Sequence, residues 1–198
     1  MDEGPTLAIR ESYDRLADEY ARRLVNELQQ KPLDRKPLSR FAREVAYLGE
    51  ICDMGCGPGH IARYLRDGGA MVFGLDLSPR MLEQARQLYP DIRFCEGNMM
   101  ALDLPTDSLA GIVAFYAIVN IPKKLLTVVF REMHRVLQPG GFVVARISYR
   151  RRNALPAGVV GPAYLNEVVL LPNIANSGLT RGCAVRCQRG YRAHAVRA

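Results

Sequence analysis

Six residues within a short stretch could do chemistry together: Asp53, Gly55, Gly57, Gly59, His60 and Asp76. The glycines follow an apolar run, Ile51-Cys52-Asp53-Met54, and precede a helix-like segment from Ile61 to Arg66. Glycine lacks a Cβ and tolerates positive φ, so a turn of this composition lets a ligand lie against bare backbone. Strand, glycine turn and helix in that order is how open α/β sheets hold nucleotide-like ligands. The spacing narrows the class. A pyrophosphate fingerprint is G-x-G-x-x-G, with the phosphate on the helix N-terminus. Here the third glycine falls one residue early, and His60 stands in its place. Asp53 adds a negative charge near the turn, and like charges a few ångströms apart repel by roughly 1 kcal/mol even in water. A ligand that is cationic near the turn fits better than a dinucleotide.

Asp76 closes a second apolar run, Met71-Val72-Phe73-Gly74-Leu75, 21 positions after Gly55. Doubly wound folds place there the carboxylate that accepts two ribose hydroxyls. Ser78-Pro79 then opens a helix, Ser suited to the N-cap and Pro to the first turn.

The pattern Asp53-x-Gly55-x-Gly57-x-Gly59 resembles motif I of the class I S-adenosylmethionine (SAM) dependent methyltransferases, and Gly74 to Leu82 is similar to their acidic motif. The resemblance covers residues 13–147. It implies an α/β fold: a Rossmann-like, mostly parallel sheet flanked by helices, with an N-terminal helical cap. The implied cofactor is S-adenosyl-L-methionine. By the same resemblance Gly55, Gly57 and Gly59 admit its methionine moiety, Asp53 helps orient its cationic part, and Asp76 holds the ribose. Asn98 stands where the family usually has Asp toward the adenine amino group, and an amide oxygen can accept that N–H. Met99 offers a polarisable contact to the adenine face. Phe115 or Tyr116 would lie beside the sulfonium, a cation–π contact worth about 0.5–2 kcal/mol. Cys56, Leu77 and Met81 complete the set on the same motifs. Tyr13-Asp14-x-x-Ala17-x-x-Tyr20 resembles the family's N-terminal helix, whose tyrosines touch the methionine end, although tyrosines at this spacing also serve as packing residues of an amphipathic helix.

The elements that would position these residues follow from periodicity. Helical patterns run from Thr6 to Gln30 and from Leu38 to Leu48, separated by a polar, proline-bearing hinge from Lys31 to Pro37. Strands are expected at 51–54, 71–76, 91–95, 109–116 and 142–147. A helix over 123–138 is stopped by Pro139-Gly140-Gly141. His134 reads as a residue of that helix's surface. No catalytic residue stands out. Tyr116, Asn120 and His60 are candidates, and Asn120 occupies a place where related sequences often carry His. Asn cannot act as a base near neutral pH.

The formal net charge of +7 is unevenly spread. Residues 1–145 carry 18 Lys and Arg against 19 Asp and Glu, whereas residues 146–198 carry nine Arg against Glu167 alone. The body therefore lacks the electropositive footprint of a nucleic-acid binder. No apolar run approaches the ~20 residues of a membrane span. The acidic start lacks a leader's basic and apolar regions, and five cysteines form no disulfide framework, so a cytoplasmic protein with reduced thiols is expected. Near Ser148 the pattern changes. The expected organisation is a methyltransferase domain over 1–147, with its cap at 1–48. A basic tail over 148–198, altered in frame or disordered, would leave the sheet incomplete at its C-terminal end. Cys183, Cys187 and His194 lack metal-site spacing, and no metal is expected.

The expected function is methyl transfer to a small-molecule acceptor, without nucleic acid or membrane as partner. A truncated domain that binds SAM or a partner without turnover is the alternative. An NAD-dependent oxidoreductase would share Asp76 but not the glycine spacing or Asp53.

Overall fold

The computed structural model describes residues 4–150 and 164–172, with side chains described for residues 6–146. Five parallel strands form the body of one sheet: β1 (Ile51–Met54), β2 (Val72–Asp76), β3 (Arg93–Glu96), β4 (Leu109–Phe115) and β5 (Leu137–Arg150). A sixth strand, β6 (Tyr164–Pro172), pairs antiparallel with β5, giving the order β3-β2-β1-β4-β5-β6. The direction of winding reverses between β1 and β4. In an open α/β sheet that crevice is where ligands bind.

The sheet is covered on both faces, which is why β1 and β4 are apolar and buried nearly throughout. On one face Ile51, Val72, Phe94 and Val113 pack with residues of α2 (Pro32–Val45), α3 (His60–Asp67) and α4 (Pro79–Leu88). On the other, Cys52, Phe73, Ile112 and Ala114 meet Val129, Met133 and Val136 of α5 (Lys123–Val136). His134 lies on the exposed side of α5.

Two expectations about the N-terminal region are corrected. The first helical pattern divides into α1 (Gly4–Leu24) and a 3-10 turn at Glu27–Gln30. The proline-bearing hinge is instead the first half of α2. Pro32 sits at the helix start, where its missing N–H costs nothing. Pro37 lies inside the helix, yet Leu38, Phe41 and Val45 are fully buried on the sheet. Burial of a large apolar side chain is worth about 1.5–3 kcal/mol, so three of them outweigh the ~3 kcal/mol of an internal proline.

The sheet also continues beyond the point where the sequence pattern changes. β5 crosses residue 148, and the apolar stretch Val168–Leu171 belongs to β6. Segments 151–163 and 173–198, with Cys183, Cys187 and His194, lie outside the described residues.

Candidate active site

Each strand from β1 to β4 delivers a piece of the site at its C-terminal end. The turn after β1 takes Gly55, Gly57 and Gly59 through left-handed conformations, with φ of 71°, 52° and 83°. The three glycines are required for different reasons. A Cβ on Gly55 would come within 2.6 Å of Ala117 Cβ, and one on Gly59 within 2.7 Å of the Phe94 ring. A Cβ on Gly57 would meet nothing closer than Met81 Sδ at 4.0 Å, in a wall of the cavity described below. Only Gly57 is therefore bare for a ligand rather than for packing.

Asp76 ends β2, and its carboxylate braces the turn. Its Oδ2 accepts the Gly57 N–H at 2.8 Å and its Oδ1 the Ser78 N–H at 2.9 Å. Burial pushes its carboxyl above the usual value, against these backbone donors. The Leu77 N–H is a third backbone donor to it, and a carboxylate has about four acceptor positions, so one remains for a hydroxyl group.

A cavity of about 710 Å³ extends from this carboxylate across the sheet's C-terminal edge, with α1 as its roof. That is within the ~300–1,000 Å³ of small-molecule sites. Asp14 on α1 ties the roof to α4 by accepting the Ser78 hydroxyl at 2.5 Å and the Arg80 N–H at 3.3 Å. Arg10 pairs with Glu96 at 3.3 Å. Tyr13 and Tyr20 meet edge to face at 5.9 Å, and Asn120 donates its amide to the Tyr13 hydroxyl at 2.6 Å.

Of the residues read from the sequence, Tyr13, Tyr20, Gly55, Cys56, Gly57, Asp76, Leu77, Met81, Asn98, Met99, Phe115 and Tyr116 line this cavity. Asp53 and Gly59 do not. Asp53 is only 1% exposed and lies beneath the turn, where its Oδ2 accepts the Ala62 N–H at 2.9 Å. Burial, with Asp76 adding repulsion, pushes its carboxyl up to about 7. Asp53 is thus tied to the α3 backbone and is not part of the cavity wall. Gly59 caps α3 and makes room for Phe94.

Three further side chains of the lining have contacts that the sequence does not show. The Asn98 amide oxygen already accepts the Met100 N–H at 2.9 Å, leaving it one acceptor position. The Tyr116 ring faces the Lys31 ammonium, 5.4 Å from its centroid. Tyr116 itself has a positive φ of 56°, uncommon for a non-glycine residue; its N–H donates to Arg146 O and its hydroxyl oxygen accepts the Arg146 Nε–H. The Cys56 thiol is buried and pushed well up, so it is no thiolate nucleophile.

Sequence reasoning missed the opposite end of the cavity, formed by Glu27, Lys31 and Asp34 beside His60. Lys31 and His60 Nε2 share the Glu27 carboxylate, the latter at 3.2 Å, and the His60 hydrogen bond leads in holding Glu27 down to about 2. Arg146 Nη2 stands 3.0 Å from Asp34 Oδ1, an ion pair without hydrogen-bond alignment. The i,i+4 spacing of Glu27 and Lys31 was a signal, but it reads equally as a solvent-exposed helix pair.

Residues 51–141 match the family described as a methyltransferase domain. A malonyl-[acyl-carrier protein] O-methyltransferase of Enterobacter lignolyticus is 33% identical over 138 residues, 68% of this chain and 51% of that one. A SAM-dependent methyltransferase from Mesorhizobium loti, of known structure, is 34% identical, with a TM-score of 0.51 over 58% of this chain and 53% of that one. Residues 51–141 of this chain form a methyltransferase domain. A demethylmenaquinone methyltransferase of Chlamydia felis is 32% identical over 67% of this chain and 58% of its own length. The chain spans about half the length of the curated relatives it matches.

The Mesorhizobium loti neighbour is named as dependent on S-adenosylmethionine. The residues present here suit that cofactor: a half-buried carboxylate with a spare acceptor position, a bare Gly57 backbone, and the apolar side chains of Met99 and Phe115. Among the described residues no group of His, Cys, Asp and Glu could hold a metal ion. No described helix is long and apolar enough to cross a membrane.

Proposed function

We propose that this chain catalyses methyl transfer from S-adenosylmethionine to a small-molecule acceptor, with residues 1–147 as the cofactor-binding unit and the cytoplasm as its place of action. One observation carries the reading. The cavity is continuous from the Asp76 carboxylate to the polar end at Glu27 and His60, beneath a single roof helix. Donor and acceptor can therefore share one enclosed space.

In this reading Asp76 accepts a ribose hydroxyl, Asn98 and Met99 hold the adenine, and Gly57 gives backbone access to the methionine portion. Tyr13, Tyr20, Cys56, Leu77, Met81, Phe115 and the Gly55 backbone enclose it. The bound cofactor supplies a methyl group already activated by a sulfonium centre. The chain's contribution is alignment and the exclusion of water, and well-oriented reactants can gain about 7–11 kcal/mol from positioning. The roof's ties through Asp14, Arg10 and Asn120 support this role.

The relatives' names include a malonyl-acyl-carrier-protein and a demethylmenaquinone as acceptors. The first is a group borne on a carrier protein, and the second name supports the small-molecule acceptor read here.

Titration calorimetry with SAM, S-adenosylhomocysteine and NAD tests the cofactor half. Binding of the first two but not NAD is expected, weakened at least tenfold in D76A. Transfer of labelled methyl from SAM to a metabolite panel tests the rest. SAM binding without any methylated product would leave a binding domain and refute catalysis.

A further inference from the structure

Two features that cost stability meet at one point of the cavity wall. Tyr116 takes its positive φ of 56° with a bulky side chain, a strained conformation that persists only where the surroundings fix it. Next to it, Arg146 and Asp34 lie 3.0 Å apart with side chains 13% and 4% exposed. Two charges taken this far out of water gain little stability from their attraction, and apolar residues of similar size serve as well. The two features are joined. Arg146 Nε–H donates to the Tyr116 hydroxyl at 3.2 Å, and the Tyr116 N–H donates to Arg146 O at 2.9 Å. Strain of this kind gathers at functional sites.

Tyr116 stands where the two ends of the cavity meet. Phe115 and Ala117 on either side of it line the cavity, and Ala117 lies against the glycine turn at Gly55. The Tyr116 ring faces Lys31 of the polar end. Arg146 is not in the lining, so it bears on the site through Tyr116 and Asp34. The cations here are already paired: Lys31 with Glu27, Arg146 with Asp34, and Arg23 with Glu19. A charged acceptor would have to break one of these pairs to be held, whereas an uncharged one would not. Tyr13, Tyr20, Phe115 and Tyr116 give the lining aromatic side chains that suit a flat ring.

We propose that Tyr116 is the specificity-determining wall of the acceptor site, that Arg146 is the positioning residue that holds it, and that the acceptor is a small uncharged ring. This rests on the methyl-transfer reading above. With its hydroxyl and its N–H both tied to Arg146, the ring is fixed at the junction of the two ends, and an acceptor must fit beside it. Arg146 thereby governs the choice of acceptor without touching acceptor or cofactor.

R146M alone would strand the buried Asp34 carboxylate and endanger folding, so R146M/D34N removes both charges together. The full chain, as wild type, R146M/D34N and Y116A, is assayed with labelled SAM and two probes that differ by one fused ring, catechol and 2,3-dihydroxynaphthalene. The wild type is expected to favour catechol, and the ratio of kcat/KM for the two probes should fall about tenfold in both variants. A ratio taken within one protein is blind to the fraction folded, so a merely structural role would not move it. SAM affinity by calorimetry should stay within about twofold in R146M/D34N. An activity-independent measurement accompanies these. A crystal structure of R146M/D34N with S-adenosylhomocysteine should show the Tyr116 ring displaced from its wild-type place. An unchanged ratio in R146M/D34N, a Tyr116 that keeps its place and its φ without Arg146, a wild type that favours the larger diol, or SAM binding with neither diol methylated would each overturn the proposal. Failure of the wild-type chain to bind SAM would instead sink the reading beneath it.

Discussion

Asp53 offers a measurement that isolates one buried charge. Its carboxyl is pushed up to about 7, first by burial, from an ordinary value near 3.9. The folded state therefore holds this proton more tightly than the unfolded chain does. Asp53 contributes its full stability below about pH 4, and that contribution falls as the pH rises to about 7, beyond which it is flat. A displacement of about three pH units at 1.36 kcal/mol each makes the loss roughly 4 kcal/mol at most. D53N removes the titration. The Asn oxygen can still accept the Ala62 N–H, but its amide hydrogens lack a partner, a pH-independent cost of about 1–3 kcal/mol. The two stability curves should therefore cross. D53N is the weaker protein at pH 4.5 and the equal or stronger one at pH 8. Urea unfolding followed by circular dichroism suits a chain without tryptophan. Glu27 and Glu132, both held down to about 2, are common to the two proteins and cancel in the difference. A gap between wild type and D53N that stays constant from pH 4.5 to 8 would refute the assignment.

The glycines of the turn should separate by measurement. G59A places a methyl group 2.7 Å from Phe94 at a φ of 83°, so a loss of more than 2 kcal/mol in unfolding free energy is expected. G57A has room for its methyl and should lose only about 1–2 kcal/mol, while SAM affinity by calorimetry falls at least tenfold. Y13F removes the hydrogen bond to Asn120 and should loosen the roof by about 0.5–1.5 kcal/mol. Its readout is faster amide hydrogen exchange in α1, with little change in the global unfolding midpoint.

The parallel strands and the Asp76 end of the cavity lining were legible because their signals are local. An apolar run ending in glycine or Asp reports both a buried strand and the ligand-facing position at its tip. Ile51–Gly57 and Val72–Asp76 carry that signal within a few residues. The role of Asp53 was not legible. A carboxylate one turn from a binding loop looks the same in sequence whether it faces the ligand or the helix backbone. Only the packing of α3 over β1 turned it toward Ala62.

The hinge at Lys31 to Pro37 fails for the opposite reason. Its local propensity is against helix, and burial of Leu38, Phe41 and Val45 on the sheet overrides it. That one helix then brings Asp34 to Arg146, which are 112 positions apart in the chain. By itself the sequence determined that a parallel sheet would carry a glycine turn after β1 and a carboxylate after β2 at one edge. Tertiary structure alone decided what stands opposite it, because Glu27, Asp34, His60 and Arg146 meet through contacts that no spacing along the chain encodes.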